Sequence, residues 1–165
     1  MNPAEDFNSR APEPTLQKVA AAIRANHIET HVVDAGDEAR LLALSMIPEG
    51  AEVHAGKSKT LLDIGLWQEL SESGRYDWLR ARYLSMDRQT QAREIRKLIS
   101  APDYMFGSVQ AVTEGGDLVV ASASSSQLGP YAVGAGRLIL IIGSQKIVRD
   151  LDEAMIRIES QVFPY

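Results

Sequence analysis

The amino-acid sequence predicts an α/β fold: a mainly parallel sheet with helices on both faces, three layers in the order αβα. Three observations carry that expectation. Segments of helical period alternate with short apolar runs through the first two-thirds of the chain, an order that right-handed crossovers turn into parallel strand pairing. Residues 138–142, Leu-Ile-Leu-Ile-Ile, form an uninterrupted apolar run of the kind buried on both faces of a sheet. Between 111 and 146, two β-branched-rich runs frame a glycine turn and a long stretch of Ser, Gly and Ala. Small residues are used where a backbone or a ligand must come close.

Residues 1–14 contain three prolines, several charges and little apolar content. They predict a flexible N-terminal arm ahead of a single domain over 15–165. Thr15 opens a helix whose Leu16, Val19, Ala20 and Ile23 share one face at i, i+3, i+4 and i+7. Residues 28–34 alternate enough to predict a strand. Gly36-Asp37 ends it and starts a second helix, with Ala39, Leu42, Ala43 and Met46 inward, until Pro48-Glu49-Gly50 stops it. A short strand over 51–55 runs into Gly56-Lys57-Ser58-Lys59-Thr60, and a helix continues through Leu70. Thr60 and Asp63 have the spacing of a capping box. After a polar turn at 71–75, residues 76–86 mix aromatics with arginines and show no clear period. A helix over 87–100 turns Ala92, Ile95 and Ile99 inward, and strands follow at 103–109 and 117–122. In the last helix, Leu151, Ala154, Met155, Ile158 and Val162 hold helical spacing.

With 165 residues, 45% hydrophobic and 24% charged, the chain has the composition of a soluble globular protein. Its net charge of -5 disfavours a nucleic-acid or anionic-membrane partner, which needs clustered Lys and Arg. No stretch approaches the ~20 apolar residues of a membrane span. The acidic start lacks the apolar core of a secretion signal, so the expected location is cytoplasmic. Cysteine is absent, which excludes thiolate chemistry and cysteine-ligated iron–sulfur clusters within the chain. His27, His31 and His54 are scattered and predict no zinc site. No cofactor is indicated by the residues themselves, and no pattern specifies an oligomer.

Two loops and two further polar residues are candidates for function. At Gly56, Lys57, Ser58 and Thr60 a strand gives way to a helix start, where unpaired backbone N–H groups favour phosphate or carboxylate. The spacing is not that of a P-loop; the alternative is an ordinary capped turn with solvated lysines. Thr113-Glu114-Gly115-Gly116 puts a carboxylate at a strand end, where it can serve as nucleophile or general base. The alternative is a hairpin whose glycines supply the turn. Residues 121–136 read either as a ligand-approach loop, with Gln127 as its polar group and a short helix near Pro130, or as plain surface. Lys146 either reaches the same cleft or is solvated. Trp67, Trp78 and Tyr104 read as core, and the arginines at 75, 80, 82 and 88 as a solvated face open to an acidic partner.

Gly56-Lys57-Ser58-Lys59-Thr60-Leu61, the 101–119 run from Ala101-Pro102-Asp103-Tyr104 through Thr113-Glu114-Gly115-Gly116, the 138–148 run and the 150–154 helix start occur in an order that resembles the LUD family, named for lactate utilisation. The resemblance spans about residues 15–160. It departs from the family pattern at Lys57, at Gly115 and over 125–131, Ser-Ser-Gln-Leu-Gly-Pro-Tyr. It implies a fold akin to ribose-5-phosphate isomerase A, glucosamine-phosphate deaminase and the CoA transferases. In the first two, a Gly/Ser/Thr loop holds a substrate phosphate, and Gly56, Ser58 and Thr60 occupy the similar place. One class of CoA transferases uses a thioester-forming Glu in a motif similar to that around Glu114. The resemblance therefore implies an accessory role in lactate or organic-acid utilisation, with iron–sulfur clusters in partner proteins and a small anionic metabolite, phosphate or CoA as ligand. The alternatives it leaves are an isomerase- or transferase-type enzyme on a phosphorylated or CoA-linked metabolite, and a metabolite-sensing module without turnover.

Overall fold

The computed structural model describes residues 7–123 and 125–163, and the chain divides into two compact units. In chain order the helices are α1 (Glu13–Ala25), α2 (Gly36–Ser45), α3 (Lys59–Asp63), α4 (Leu66–Glu72), α5 (Leu79–Leu84), α6 (Ala92–Ser100) and α7 (Leu151–Gln161). The strands are β1 (Glu52–Ala55), β2 (Asp77–Trp78), β3 (Tyr104–Gly107), β4 (Ala111–Thr113), β5 (Leu118–Val119), β6 (Arg137–Leu140) and β7 (Ile147–Val148).

One unit, built from residues 33–108 and 122–141, holds a sheet in the order β2-β1-β3-β6. Every pairing in it is parallel, and in register Ala55 meets Phe106 and Phe106 meets Ile139. The pleat sends Val53, Ala55 and Phe106 to one face, where they bury against Leu61 of α3 and Leu66 and Leu70 of α4. His54 and its register partner Met105 go to the other face, where His54 meets the ring of Tyr83 on α5 edge-on at 5.7 Å. Helices thus cover both faces, and the expected three-layer α/β arrangement holds. Trp67 and Trp78 pack edge-on at 5.2 Å beside the core.

Several local expectations are corrected here. The helix expected from 60 to 70 is two helices, because Gly65 adopts φ +72 and only glycine enters that region freely. The capping box at Thr60 and Asp63 does not form: Ser58 is the N-cap, without a side-chain cap, and Asp63 instead binds Lys59 at 2.8 Å. Residues 87–91 precede α6 as a turn, because the Asp87 carboxylate accepts from Gln89 N and Thr90 Oγ1 and holds the chain out of the helix. These bonds also hold the Asp87 carboxyl below its usual value, the Gln89 N–H foremost. The run at 138–142 is half-buried, not covered on both sides, because β6 is the edge strand. The aperiodic stretch 76–86 contains β2 and α5.

The other unit, residues 1–32, 109–121 and 142–165, carries a sheet in the order β5-β4-β7, antiparallel on one side of β4 and parallel on the other. Val19 and Ile23 of α1 bury against Val112, while Phe7, Ala111, Val148 and Ala154 form a second cluster. Residues 1–6 of the expected arm lie outside the described residues. The predicted strand at 28–34 is absent: His27 turns left-handed, and the Thr30 carbonyl is taken by the Arg24 guanidinium at 2.7 and 3.1 Å, not by a strand neighbour.

Helix α7 is rotated from the expected face. Leu151 and Met155 are exposed, while Glu153, Ala154, Arg157 and Ile158 are buried. Arg157 donates to the Gln110 carbonyl, and its guanidinium lies 6.0 Å from the centre of the Phe7 ring. Burial holds its pKa below the ordinary arginine value. Asp150 caps the helix by accepting from Glu153 N at 2.9 Å. Asp150→Ala is expected to cost about 1 kcal/mol, measured by urea unfolding, and Asp150→Asn to recover most of it.

Candidate functional site

Parallel α/β sheets bind ligands beyond the carboxyl ends of their strands. At that end of β1 the chain continues as Gly56, whose N–H donates to Phe106 O at 3.1 Å and so keeps the strand in the sheet to its last residue. A Cβ built on Gly56 would stand 2.9 Å from Oε1 of Gln127. The structure therefore sets Gln127 directly on Gly56. The side-chain amide of Gln127 has no hydrogen-bond partner among the described residues, and the residue is half-buried.

The next residues differ in how far they are committed. Lys57 is exposed and Ser58 half-buried, and neither side chain has a partner among the described residues. Lys59 is tied to Asp63, and Thr60 also has a partner. The uncommitted polar groups following β1 are thus Lys57, Ser58 and, against Gly56, Gln127.

At the adjacent end of β3 stands a residue that sequence reasoning missed. A Cβ on Gly107 would lie 1.5 Å from the hydroxyl oxygen of Tyr131 and 2.5 Å from its Cζ. The phenol fills the space that glycine leaves. Its oxygen accepts from Ser108 N at 3.1 Å and donates to Ser108 O at 3.2 Å. Ser108 is buried, and its own hydroxyl donates to Ile141 O at 2.6 Å. Burial raises the Tyr131 pKa, with the Ser108 backbone bond acting the other way, so the phenol stays protonated and able to donate.

Gln127 and Tyr131 arrive together for a helical reason. Tyr131 N donates to Gln127 O at 3.0 Å, and Pro130–Gly134 forms a single π-helical turn with proline in its first position. Residues four apart on a helical turn share a face, so an amide and a phenol land on the glycine ends of neighbouring strands β1 and β3. The signal was present in the sequence as Gln-x-x-x-Tyr after a run of serines.

Glu114 and Lys146 belong to the mixed-sheet unit. Glu114 directly follows β4, where its N–H donates to Val148 O at 2.8 Å. Its carboxylate accepts from Lys18 Nζ at 2.6 Å, with the side chains 33% and 63% exposed. The hairpin after it is closed by Thr113: Asp117 N donates to Thr113 Oγ1 at 3.0 Å, and Thr113 Oγ1 donates to Asp117 Oδ2 at 2.8 Å. Gly116 adopts φ +92, and a Cβ built on it would stand 3.1 Å from the carbonyl carbon of Ala22 and 3.2 Å from Ile23 N. Lys146 is half-buried and donates to Val109 O at 2.9 Å, which fastens the turn before β7. An exposed ion pair contributes little, so Lys18→Ala is expected to shift stability by less than about 1 kcal/mol in thermal unfolding. A larger loss would mean that the pair orders the hairpin.

The same unit holds a shallow open depression of about 370 Å³ between the hairpin (Thr113, Gly115, Asp117) and the start of α7 (Arg149, Asp150, Asp152). Its three acids against one arginine do not suit an anion, and Glu114 and Lys146 do not line it. Among the described residues no group of three or more His, Asp or Glu is placed to hold a metal ion. No helix among them is long and apolar enough to cross a membrane.

An all-parallel sheet with helices on both faces defines an α/β protein of the three-layer αβα class. The LUD domain family model matches residues 16–164, nearly the whole chain and parts of both units, and the protein belongs to that family. No curated protein and no solved structure matches it.

Proposed function

We propose that this protein is a component of a lactate- or organic-acid-utilisation system that holds a small anionic metabolite beyond the carboxyl end of β1. Family membership supports the association with lactate utilisation. One observation carries the site: Lys57, Ser58 and Gln127 are polar, accessible and uncommitted around a glycine at the end of a parallel strand. A lysine supplies charge, and a hydroxyl and an amide supply donors. Thr60 is a weaker candidate, since it is already engaged. On this reading any iron–sulfur chemistry would belong to partner proteins, since the chain has no cysteine, and the setting would be cytoplasmic.

The test is ligand-induced stabilisation. Lactate, inorganic phosphate or acetyl-CoA at a hundredfold excess over Kd stabilises by about 2.7 kcal/mol. The expected result is a rise in Tm with at least one of them that is lost in the Lys57→Ala/Ser58→Ala double variant. A shift that survives the double variant moves the site elsewhere, and no shift with any of the three removes the reading.

A catalytic alternative, an isomerase or transferase with Glu114 as nucleophile or base, requires that carboxylate to be free. The 2.6 Å ion pair with Lys18 favours binding without turnover, as in a sensing module. Product formation abolished by Glu114→Gln would reverse that preference.

A further inference from the structure

The end of β3 carries more chemical information than the anion reading uses. One phenolic oxygen satisfies both the N–H and the C=O of Ser108, a donor and an acceptor on the same residue. Only a group that accepts and donates through one oxygen can take that place. A hydroxyl does both, whereas an ionised carboxylate oxygen would set a second acceptor against the Ser108 carbonyl, with no proton to give. Gln127, four residues earlier on the same turn, presents an unpaired amide over Gly56, and an amide too reads both donors and acceptors. The two side chains fill the two spaces left by Gly56 and Gly107, so a ligand reaching these strand ends meets them first.

We infer that Tyr131 occupies the place a ligand hydroxyl would take, and that Gln127 and Tyr131 together are the specificity-determining residues of this site, selecting a small hydroxylated ligand. This rests on the strand-end site proposed above but not on its anion contacts. Ligand entry exchanges the Tyr131 hydroxyl for the ligand's at Ser108, so the tyrosine competes with the ligand. Tyr131→Phe keeps the ring against Gly107 and removes only the competing oxygen.

The experiment titrates the ¹⁵N-labelled full chain, wild type and Tyr131→Phe, with glycerol as a hydroxyl probe and acetate as an anion without one, following the Ser108 amide. Tyr131→Phe is expected to bind glycerol about tenfold more tightly than wild type, the equivalent of one hydrogen bond no longer contested, with acetate unchanged. Ser108 N–H should shift on glycerol addition, and Gln127→Ala should weaken glycerol binding in the Tyr131→Phe background. Equal glycerol affinity in the two proteins, a gain for acetate as large as for glycerol, or an unmoved Ser108 amide each overturns the inference. Should Tyr131→Phe lose its dispersed spectrum, the wild-type Ser108 amide still decides: no shift with glycerol, or an equal shift with acetate, overturns the inference. Failure of the lactate, phosphate and acetyl-CoA shifts with a positive glycerol result would remove the anion reading alone, and the converse would remove this one alone.

Discussion

Gly134→Ala is expected to be among the most damaging single substitutions in the parallel-sheet unit, costing more than about 3 kcal/mol. A Cβ there would stand 1.7 Å from the carbonyl oxygen of Ser100 and 2.9 Å from its carbon. Both are backbone atoms at the end of α6, so no rotamer change relieves the collision; either the helix end or the turn must move. Ordinary overpacking costs about 1–3 kcal/mol when side chains can adjust, and this contact lacks that escape. The turn that must move is the one that presents Tyr131 and Gln127. Gly107→Ala collides instead with the Tyr131 phenol, a side chain that can leave. It should therefore cost less stability but expel Tyr131 from Ser108. Urea unfolding followed by fluorescence of Trp67 and Trp78, both in this unit, measures the difference. Equal midpoints for wild type and Gly134→Ala would show that the turn does not press on α6.

Periodic features were legible in the chain where a single element decides its own fate. Val19, Ala20 and Ile23 are buried as their spacing demands, and the strand over 51–55 forms because Val53 and Ala55 have an apolar face to join. Features that depend on a neighbour were not legible. Residues 28–34 alternate, but alternation makes a strand only beside an edge with free N–H and C=O groups, and Arg24 claims the Thr30 carbonyl instead. The apolar run at 138–142 states hydrophobicity but not that its strand has a neighbour on one side only. In α7 the apolar positions Leu151 and Met155 lost the inner face to Arg157 and Glu153. The first has the Gln110 carbonyl to donate to, and the second receives the backbone N–H and Nε of Arg149. At the strand-end site, glycine, serine and lysine after β1 could be read directly. The meeting of Gln127 with Gly56 and of Tyr131 with Gly107 is a tertiary fact, hidden behind a serine run that looks like linker.

Acid lability is the second large expectation, and it traces to His54. This side chain is 6% exposed on the α5 face of the sheet, and its Nδ1 has no hydrogen-bond partner. From α5 it meets the Tyr83 ring, and the Arg80 guanidinium opposes an imidazolium by like charge. Burial, then the Arg80 charge, lowers its pKa from 6.5 to about 4. The sign follows from proton uptake. Below pH 6.5 the unfolded chain binds a proton at this site and the folded chain does not, so falling pH favours unfolding. Stability from this group is fully present above pH 6.5 and is lost progressively down to about pH 4, a loss on the order of 3 kcal/mol. His54→Phe fills a similar volume and does not titrate. Urea midpoints at pH 7.5, 5.5 and 4.5 should show wild type losing stability faster than His54→Phe as the pH drops. A gap between the two proteins that stays constant across the three pH values would mean that His54 is reached by protons in the folded state. In that case the face of the sheet beneath α5 opens more readily than its packing indicates.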